Sequence, residues 1–433
     1  MFKNSKMRSI LQYILKVLAQ IILWRYKPEI VAVTGSVGKT GAKEAIYHVL
    51  KGSFRTRRNI KNYNNEIGVP LTILGQDIAP QTKISAIFPW LTIFFKACLT
   101  IIWQRKYPEV LVLEMGISHP GDMKYLVNFA PAKVGVITAI GEFPTHLEFF
   151  PEKDRLIKEK AFLVKHLTKQ GTAVLNYDDL SVRMIGDELG EKTNLIQYGF
   201  GNAADLKILN YNLLTGDLDK GNYGISFKLE YNGSVVPFRL NKILGKQHAF
   251  AAAAAASVGL VFGMNLVEIS HSLSGYHSLP GRAKLLKGVK NTWLIDDTYN
   301  ASPLATLNSL DILDRLAAGH PGRKIVVLGD MLELGIYTED GHRRVGREIP
   351  QIADLLFTVG AKANFIAEEA ANQGFNKNKI FKFYQPEKAG LALQKELVQG
   401  DFVLIKGSRG IHMEKIVKEI MRSSEKADEL LVH

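Results

Sequence analysis

Short apolar runs, each closed by a turn and followed by a helical stretch, recur along this chain and narrow its fold more than any other feature. EIVAV at 29–33, EVLVLEMG at 109–116, KVGVITAIG at 133–141 and GTAVLNYDD at 171–179 are rich in Val, Ile and Leu without strict alternation, as strands buried on both faces are. Separated by helical segments, they predict an α/β fold with a parallel, doubly wound sheet. Residues 205–245 change character: GNYGISFKLEYNGSVVPFRL alternates around an Asn-Gly pair and reads as antiparallel hairpins. AFAAAAAASVGLVFG follows as a helix by propensity, buried because it lacks a polar face. Near Leu279 a second α/β pattern begins with TWLIDDTYN, KIVVLGDM, LLFTVG, KIFKFY and DFVLIKG, predicting a Rossmann-like C-terminal domain. The expected units are a basic amphipathic helix at 1–28, a central domain at 29–275 with an apolar insertion at about 80–106, and a C-terminal domain at 276–433 ending in a polar tail from 423. The crevice between two such domains is the expected ligand site.

Residues 31–50, VAVTGSVGKTGAKEAIYHVL, sharpen that expectation. The strand, tight turn and helix resemble a phosphate-binding P-loop, but only Ser36 and Val37 separate Gly35 from Gly38, where the usual pattern has four residues. A helix N-terminus still offers unpaired N–H groups and a positive dipole end to an anion. The backbone of Gly35, Ser36, Val37 and Gly38 would cradle phosphates, Lys39 would add a point charge, and the Thr40 hydroxyl suits Mg²⁺. An ordinary β-turn-α junction with an incidental lysine is the alternative.

Charge and cysteine content restrict the partners. With 55 Lys+Arg against 42 Asp+Glu the formal charge is +13, which suits acidic metabolites or an anionic membrane surface. No nucleic-acid-binding motif accompanies the charge, so nucleic acid is not expected. The single cysteine, Cys98, excludes an intrachain disulfide and fits a cytoplasmic setting. MRSILQYILKVLAQIILWRYK and ISAIFPWLTIFFKACLTIIWQRK are far more apolar than the rest, yet Lys16, Pro89 and Lys96 interrupt them. Each fits an interfacial helix better than a bilayer span; buried helices or a dimer interface are the alternative. Both run directly into a strand, so the expectation is a paired membrane foot at the amino edge of the sheet. Lys3, Lys6, Arg8, Arg25, Lys27, Arg105 and Lys106 would meet anionic lipid at the inner face of the cytoplasmic membrane, with the catalytic edge facing away.

TGSVGKT, NYNNEIGVPLTIL, VLEMGISHPGDMKYL, THLEFF, LPGRAKLL, IDDTYNASP, VLGDMLELG and VLIKGSRG occur in this order, and together they closely resemble the Mur ligases from about residue 29 to 420. The resemblance implies an ATP-dependent amide ligase of cell-wall peptide synthesis. D-Alanyl-D-alanine or a similar amine would join a muramyl-peptide carboxylate through an acyl phosphate, releasing ADP and phosphate. In this family the short loop Thr34–Thr40 is the normal ATP loop. Lys39, Glu114, His146 and Lys160 would be catalytic, and Thr40, Glu114, His146 and Lys160 would serve Mg²⁺, Lys160 as a CO₂-carbamylated lysine. By sequence alone Lys160 is equally a surface charge on a helix. Arg282, Asp297, Tyr299 and Asn300 would face the nucleotide. Asn64, Asn65, Lys406, Ser408 and Arg409 would face substrate, although the two asparagines also suit helix capping.

The sequence departs from the family in three places. Relatives carry a uridine-nucleotide domain of about a hundred residues, an ordinary domain size, before the ATP loop. Only the apolar basic segment precedes it here, so UDP-sugar recognition by such a domain is not expected. Ala139 and Ala251 stand where asparagine is usual, and an adenine contact is expected to be missing at Ala251. A poly-γ-glutamate type of ligase and a membrane-bound nucleotide-binding scaffold are the alternatives; the retained Lys39, Thr40, Glu114, His146 and Lys160 argue against a scaffold, which has no need for a metal set.

Overall fold

The computed structural model describes residues 5–60, 63–76, 87–104, 106–191 and 193–432. Lys3, Arg105, residues 77–86 and the side chains of Lys6 and Arg8 lie outside the described set. The central domain carries strands β1 (Glu29–Thr34), β2 (Thr56–Arg58), β3 (Val110–Glu114), β4 (Val134–Ile137), β5 (Thr172–Asn176), β6 (Asn194–Gly199), β7 (Leu206–Thr215), β8 (Tyr223–Tyr231) and β9 (Ser234–Asn241). They form one sheet in the order β2-β3-β1-β4-β5-β6-β7-β8-β9. The pairs from β2 to β7 are parallel; β7, β8 and β9 are antiparallel. The expected hairpins are therefore an extension of the parallel sheet. Asn232 and Gly233, at φ 47° and 78°, close the β8–β9 hairpin, as a type I′ turn requires positive φ at both central positions.

The C-terminal domain holds β10 (Lys284–Lys287), β11 (Trp293–Asp297), β12 (Lys324–Gly329), β13 (Leu355–Val359), β14 (Ile380–Phe383) and β15 (Phe402–Lys406), in the order β10-β11-β15-β12-β13-β14. All its pairs are parallel except the β10 edge. The α/β reading of both domains stands.

In the central domain, strand order reverses between β1 and β4, and ligands bind at such a switch point, beyond the carboxyl ends of the strands. One face of the sheet is covered by helix Lys39–Leu50 packed on helix Lys246–Val261, whose Ala251–Ala256 run is buried throughout. Methyl-sized side chains there let two helices and the sheet approach closely.

On the opposite face the two apolar segments prove to be cover for the sheet rather than a foot below it. Helix Ser5–Tyr26 lies along it, with Leu11, Leu15, Ala19 and Ile22 buried in the core at helical spacing. Trp90, Ile93 and Ala97 of helix Ile87–Trp103 enter the same core. Neither segment is a detached appendage, because a parallel sheet needs cover on both faces. At the amino edge Tyr26 donates to the carbonyls of Thr100 (2.6 Å) and Gln104 (2.7 Å) and stacks on Tyr107 at 4.7 Å. From there helix Ser5–Tyr26 runs back up the sheet, so that Gln12 donates to Glu66 (2.9 Å), next to the catalytic edge. Among the described residues, no helix is long and apolar enough to cross a membrane. The expected C-terminal tail is also structured: Ala427 and Leu431 are buried in the second domain's core.

Leu15 is fully buried, and Leu15→Ala should lower stability by about 2–4 kcal/mol through lost burial and a residual cavity. Urea unfolding monitored by far-UV circular dichroism checks this; an unchanged midpoint would show the helix is only loosely attached.

Candidate active site between the two domains

The loop after β1 is shaped by its neighbour after β4. The N–H groups of Ser36 (2.7 Å) and Val37 (3.0 Å) both donate to the carbonyl of Ala139. Gly35 is at φ 145°, and a Cβ there would lie 2.1 Å from Thr138 Oγ1, so the position admits only glycine. Two of the amides expected to cradle phosphate are therefore spent on bracing the loop. The first N–H groups of helix Lys39–Leu50 have no partners within the helix and remain open to an anion. That Ala139 is not asparagine does not affect the brace, which uses its backbone.

Glu114 ends β3 at the same edge. Asn59 clamps its backbone, accepting from Glu114 N (2.9 Å) and donating to Glu114 O (3.1 Å). Asn64 donates to Glu114 Oε1 (3.0 Å), while the buried Oε2 has no hydrogen-bond partner. That unfilled acceptor suits a cation. Asn65 accepts from the N–H groups of Ile67 (3.2 Å) and Gly68 (3.0 Å) at the start of helix Gly68–Ile73. Both asparagines line the cleft.

Lys160, on helix Lys153–Lys165, is 1% exposed, which overturns the reading as a surface charge. Its amine donates to Gly35 O at 2.9 Å, and Lys39 Nζ donates to the same oxygen at 2.9 Å. Burial, and then Lys39, hold the Lys160 ammonium well below its usual range. Burial also lowers Lys39, with Glu114 opposing and Arg282 adding to the shift. His146, at φ 73°, belongs to the same cluster. Its Nδ1 lies 2.8 Å from Glu333 Oε2, a close contact not aligned as a hydrogen bond. Burial depresses the imidazole pKa, Glu333 opposes, and Lys39 and Lys160 push it further down. Burial thus favours the neutral imidazole, the form in which histidine can ligate a metal.

The C-terminal domain completes the cleft. Asp296 accepts from Gly281 N (3.2 Å) and Asp297 from Ala283 N (3.1 Å), clamping the chain on either side of Arg282. Arg282 lies over the Tyr299 ring at 4.1 Å and donates to Thr40 Oγ1 (3.2 Å), so one arginine joins the two domains at the phosphate loop. Asp297 is otherwise engaged by Ser309 (2.5 Å) and Lys406 (2.5 Å). Asp297 and Lys406 thus form an internal ion pair that sets the loop, and both line the cleft. Ser408 is buried as well: its hydroxyl accepts from Leu332 N (2.8 Å), bracing the loop that carries Glu333. Tyr299 and Asn300 do line the cleft. Arg409 is absent from the wall but lies over the Tyr299 ring at 6.0 Å, and its buried Nη1 has no hydrogen-bond partner.

The cleft holds about 490 Å³ and takes walls from both domains. A second cavity of about 560 Å³ adjoins it at Val37, Gly38 and Gln247, with Tyr198, Phe250, Ala251 and Leu304 among its lining. Its mainly apolar wall suits a base, and Ala251 supplies surface there without a polar contact. Asn59, Glu333 and Gln247 were not picked out from the sequence. Asn59 and Glu333 act through groups remote in the chain, and only the motif VLGDMLELG pointed near Glu333.

Ser408→Ala should cost about 1–3 kcal/mol of stability, for a buried donor left unsatisfied, without raising KM for the amine substrate. Thermal unfolding and steady-state kinetics on the same variant separate the two effects.

The model of the Mur ligase middle domain matches residues 100–259, and that of the Mur ligase glutamate ligase domain matches residues 281–409. The chain is 31% identical over 416 residues to the UDP-N-acetylmuramoyl-tripeptide–D-alanyl-D-alanine ligase of Bacillus subtilis, spanning 94% of this chain and 79% of that protein. The Escherichia coli ligase of the same name is 25% identical over 398 residues, covering 91% and 77%. Among solved structures, the MurF ligase of Thermotoga maritima in complex with ADP superposes with a TM-score of 0.75 at 26% identity, over 99% of this chain and 86% of that one. A MurF structure from Acinetobacter baumannii shares the fold, with a TM-score of 0.76 at 24% identity, over 94% and 79%. The chain belongs to the Mur ligase family of ATP-dependent, amide-bond-forming enzymes.

Proposed function

We propose that this enzyme joins D-alanyl-D-alanine, or a closely similar amine, to the terminal carboxylate of a muramyl tripeptide. The observation that carries the reading is the meeting of Lys39 and Arg282 with Glu114 and His146 in one cleft built from both domains, above the buried Lys160 that shares Gly35 O with Lys39. Attack of a carboxylate on a polyphosphate is opposed by like charge, so fixed cations and positioning are what the reaction needs. Lys39 and the N–H groups at the start of its helix neutralise the phosphates, and Arg282 brings a further charge from the C-terminal domain. A carboxylate oxygen bonds to the γ-phosphorus while the bond to ADP breaks. The free amine then attacks the acyl carbon, the bond to phosphate breaks, and the amine nitrogen loses its extra proton.

Thr40, Glu114 and His146 would hold Mg²⁺, and the unpartnered Glu114 Oε2 is the observation that fits such an ion. When bound, the ion supplies further neutralisation of phosphate charge. Among the described residues no three His, Cys, Asp or Glu side chains cluster as a cage; Mg²⁺ commonly takes its other ligands from phosphate and water. Lys160 would carry a carbamate. Its depressed pKa favours the neutral amine that reacts with CO₂, a proton leaving in the process. The carbamate then places a negative charge beside Lys39 where two ammonium groups would otherwise share one carbonyl.

Phosphate release from ATP should require both a muramyl tripeptide and D-alanyl-D-alanine; a panel of nucleotide-linked and nucleotide-free acceptors tests this, and no release with any of them overturns the reading. Lys39→Ala and Glu114→Ala should each lower kcat by at least about 100-fold with the circular dichroism spectrum unchanged. Lys160→Ala should be inactive and regain part of its rate in millimolar formate or acetate. ¹³CO₂ should give the wild type a carbamate carbon resonance that this variant lacks. An active variant insensitive to bicarbonate would show that Lys160 only braces the loop.

A further inference from the structure

Helices Ser5–Tyr26 and Ile87–Trp103 are apolar on two faces each. One face of each is spent on the core. On the other, Ile10, Tyr13 and Trp24 of the first helix and Leu91, Phe95 and Trp103 of the second stand in solvent, with Trp24 77%, Phe95 64% and Trp103 72% exposed. Core packing explains the buried stripes and leaves these outward ones without a function. Tyr26, bonded to the carbonyls of Thr100 and Gln104, holds the C-terminal ends of the two helices together, so the exposed residues belong to one surface.

Charge identifies the occupant. Neither helix contains an Asp or Glu, while Lys16, Arg25 and Lys96 lie within them and Lys27 and Lys106 follow their ends. A second copy would bring two acid-free, cationic faces together. A bilayer with anionic headgroups supplies apolar depth and opposite charge at once, and exposed Trp at the end of each helix is suited to the boundary between them. Neither helix can cross a membrane, so the contact is interfacial.

The course of helix Ser5–Tyr26 sets the orientation. From Tyr26 at the amino edge of the sheet to Gln12 beside Glu66 at the catalytic edge it extends roughly 21 Å at the α-helical rise. Gln12 shares a cavity of about 290 Å³ with Asn65, Gly116 and Asp122, and those three also line the catalytic cleft. We propose that the outward faces of these two helices form one docking surface for an anionic lipid bilayer, lying flat along the flank of the central domain so that the cleft rim at Asn65 and Gly116 stands beside the headgroups.

Full-length protein should float with phosphatidylglycerol-containing vesicles at low salt, and much less with pure phosphatidylcholine or in high salt. Trp24→Glu combined with Trp103→Glu should weaken partitioning at least tenfold while phosphate release in solution stays unchanged, since neither residue touches the cleft. Brominated lipid should quench the wild-type tryptophan fluorescence more than that of the variant Trp24→Phe with Trp103→Phe. A fluorophore on Gln12→Cys, in a Cys98→Ser background, should be quenched by a headgroup-borne quencher. Absence of vesicle binding at low salt overturns the proposal. So does a concentration-dependent dimer, seen by sedimentation, that the glutamate variants dissociate while wild-type protein ignores vesicles. Quenching of Trp24 and Trp103 without quenching at position 12 overturns the flat orientation.

Discussion

A parallel sheet exposes no edge-on alternation of polar and apolar residues; β1, β3, β4 and β5 are buried on both faces and each face needs a helical cover. This constraint organises the central domain. On one side the alanine-rich helix Lys246–Val261 and helix Lys39–Leu50 provide the cover, which fixes the direction in which the N-terminus of the latter faces the cleft. On the other side helices Ser5–Tyr26 and Ile87–Trp103 contribute, and what they bury leaves an outward apolar face still to be accounted for. Packing of the sheet thus determines both the anion site and the lateral surface.

At the catalytic edge the governing interaction is electrostatic. Gly35 O accepts from both Lys39 and Lys160, and Glu114 and Arg282 stand close enough to influence Lys39. Like charges in a buried site raise the free energy of the fully protonated arrangement, and the site lowers it by depressing lysine pKa values or by adding anions. A polyphosphate supplies such an anion. The two acids at the end of β11 contribute by a different route, holding the chain on both sides of Arg282 so that its guanidinium spans the domain boundary. The two domains therefore meet at the loop through Arg282 and Thr40.

Much of this was legible in the chain. The strand runs announced both sheets, and the phosphate loop announced the end of the sheet at which chemistry occurs. Lys39, Thr40, Glu114, His146 and Arg282 do come together. The family resemblance implies that Lys406 and Ser408 face substrate; Lys406 lines the cleft while Ser408 does not. Their burial against Asp297 and Leu332 arises from loops far away in sequence, and no local pattern reports it. Asn59 and Glu333 escaped notice for the same reason: each acts on a partner more than fifty residues distant.

The amino-acid sequence by itself determined the succession of strands and helices, because period and residue type are local properties, and it marked the phosphate loop, because a helix N-terminus after a glycine turn binds anions wherever it occurs. Tertiary structure alone decided what the ambiguous groups do. Lys160 reads as a solvated charge until the helix that carries it is laid beneath the loop, where loss of water lowers its pKa. Helix Ser5–Tyr26 reads as an appendage until the uncovered face of the sheet takes up its inner stripe. Burial and charge proximity are properties of the packed molecule, and they assign to Lys160 and to that helix roles that neighbouring residues in the chain do not encode.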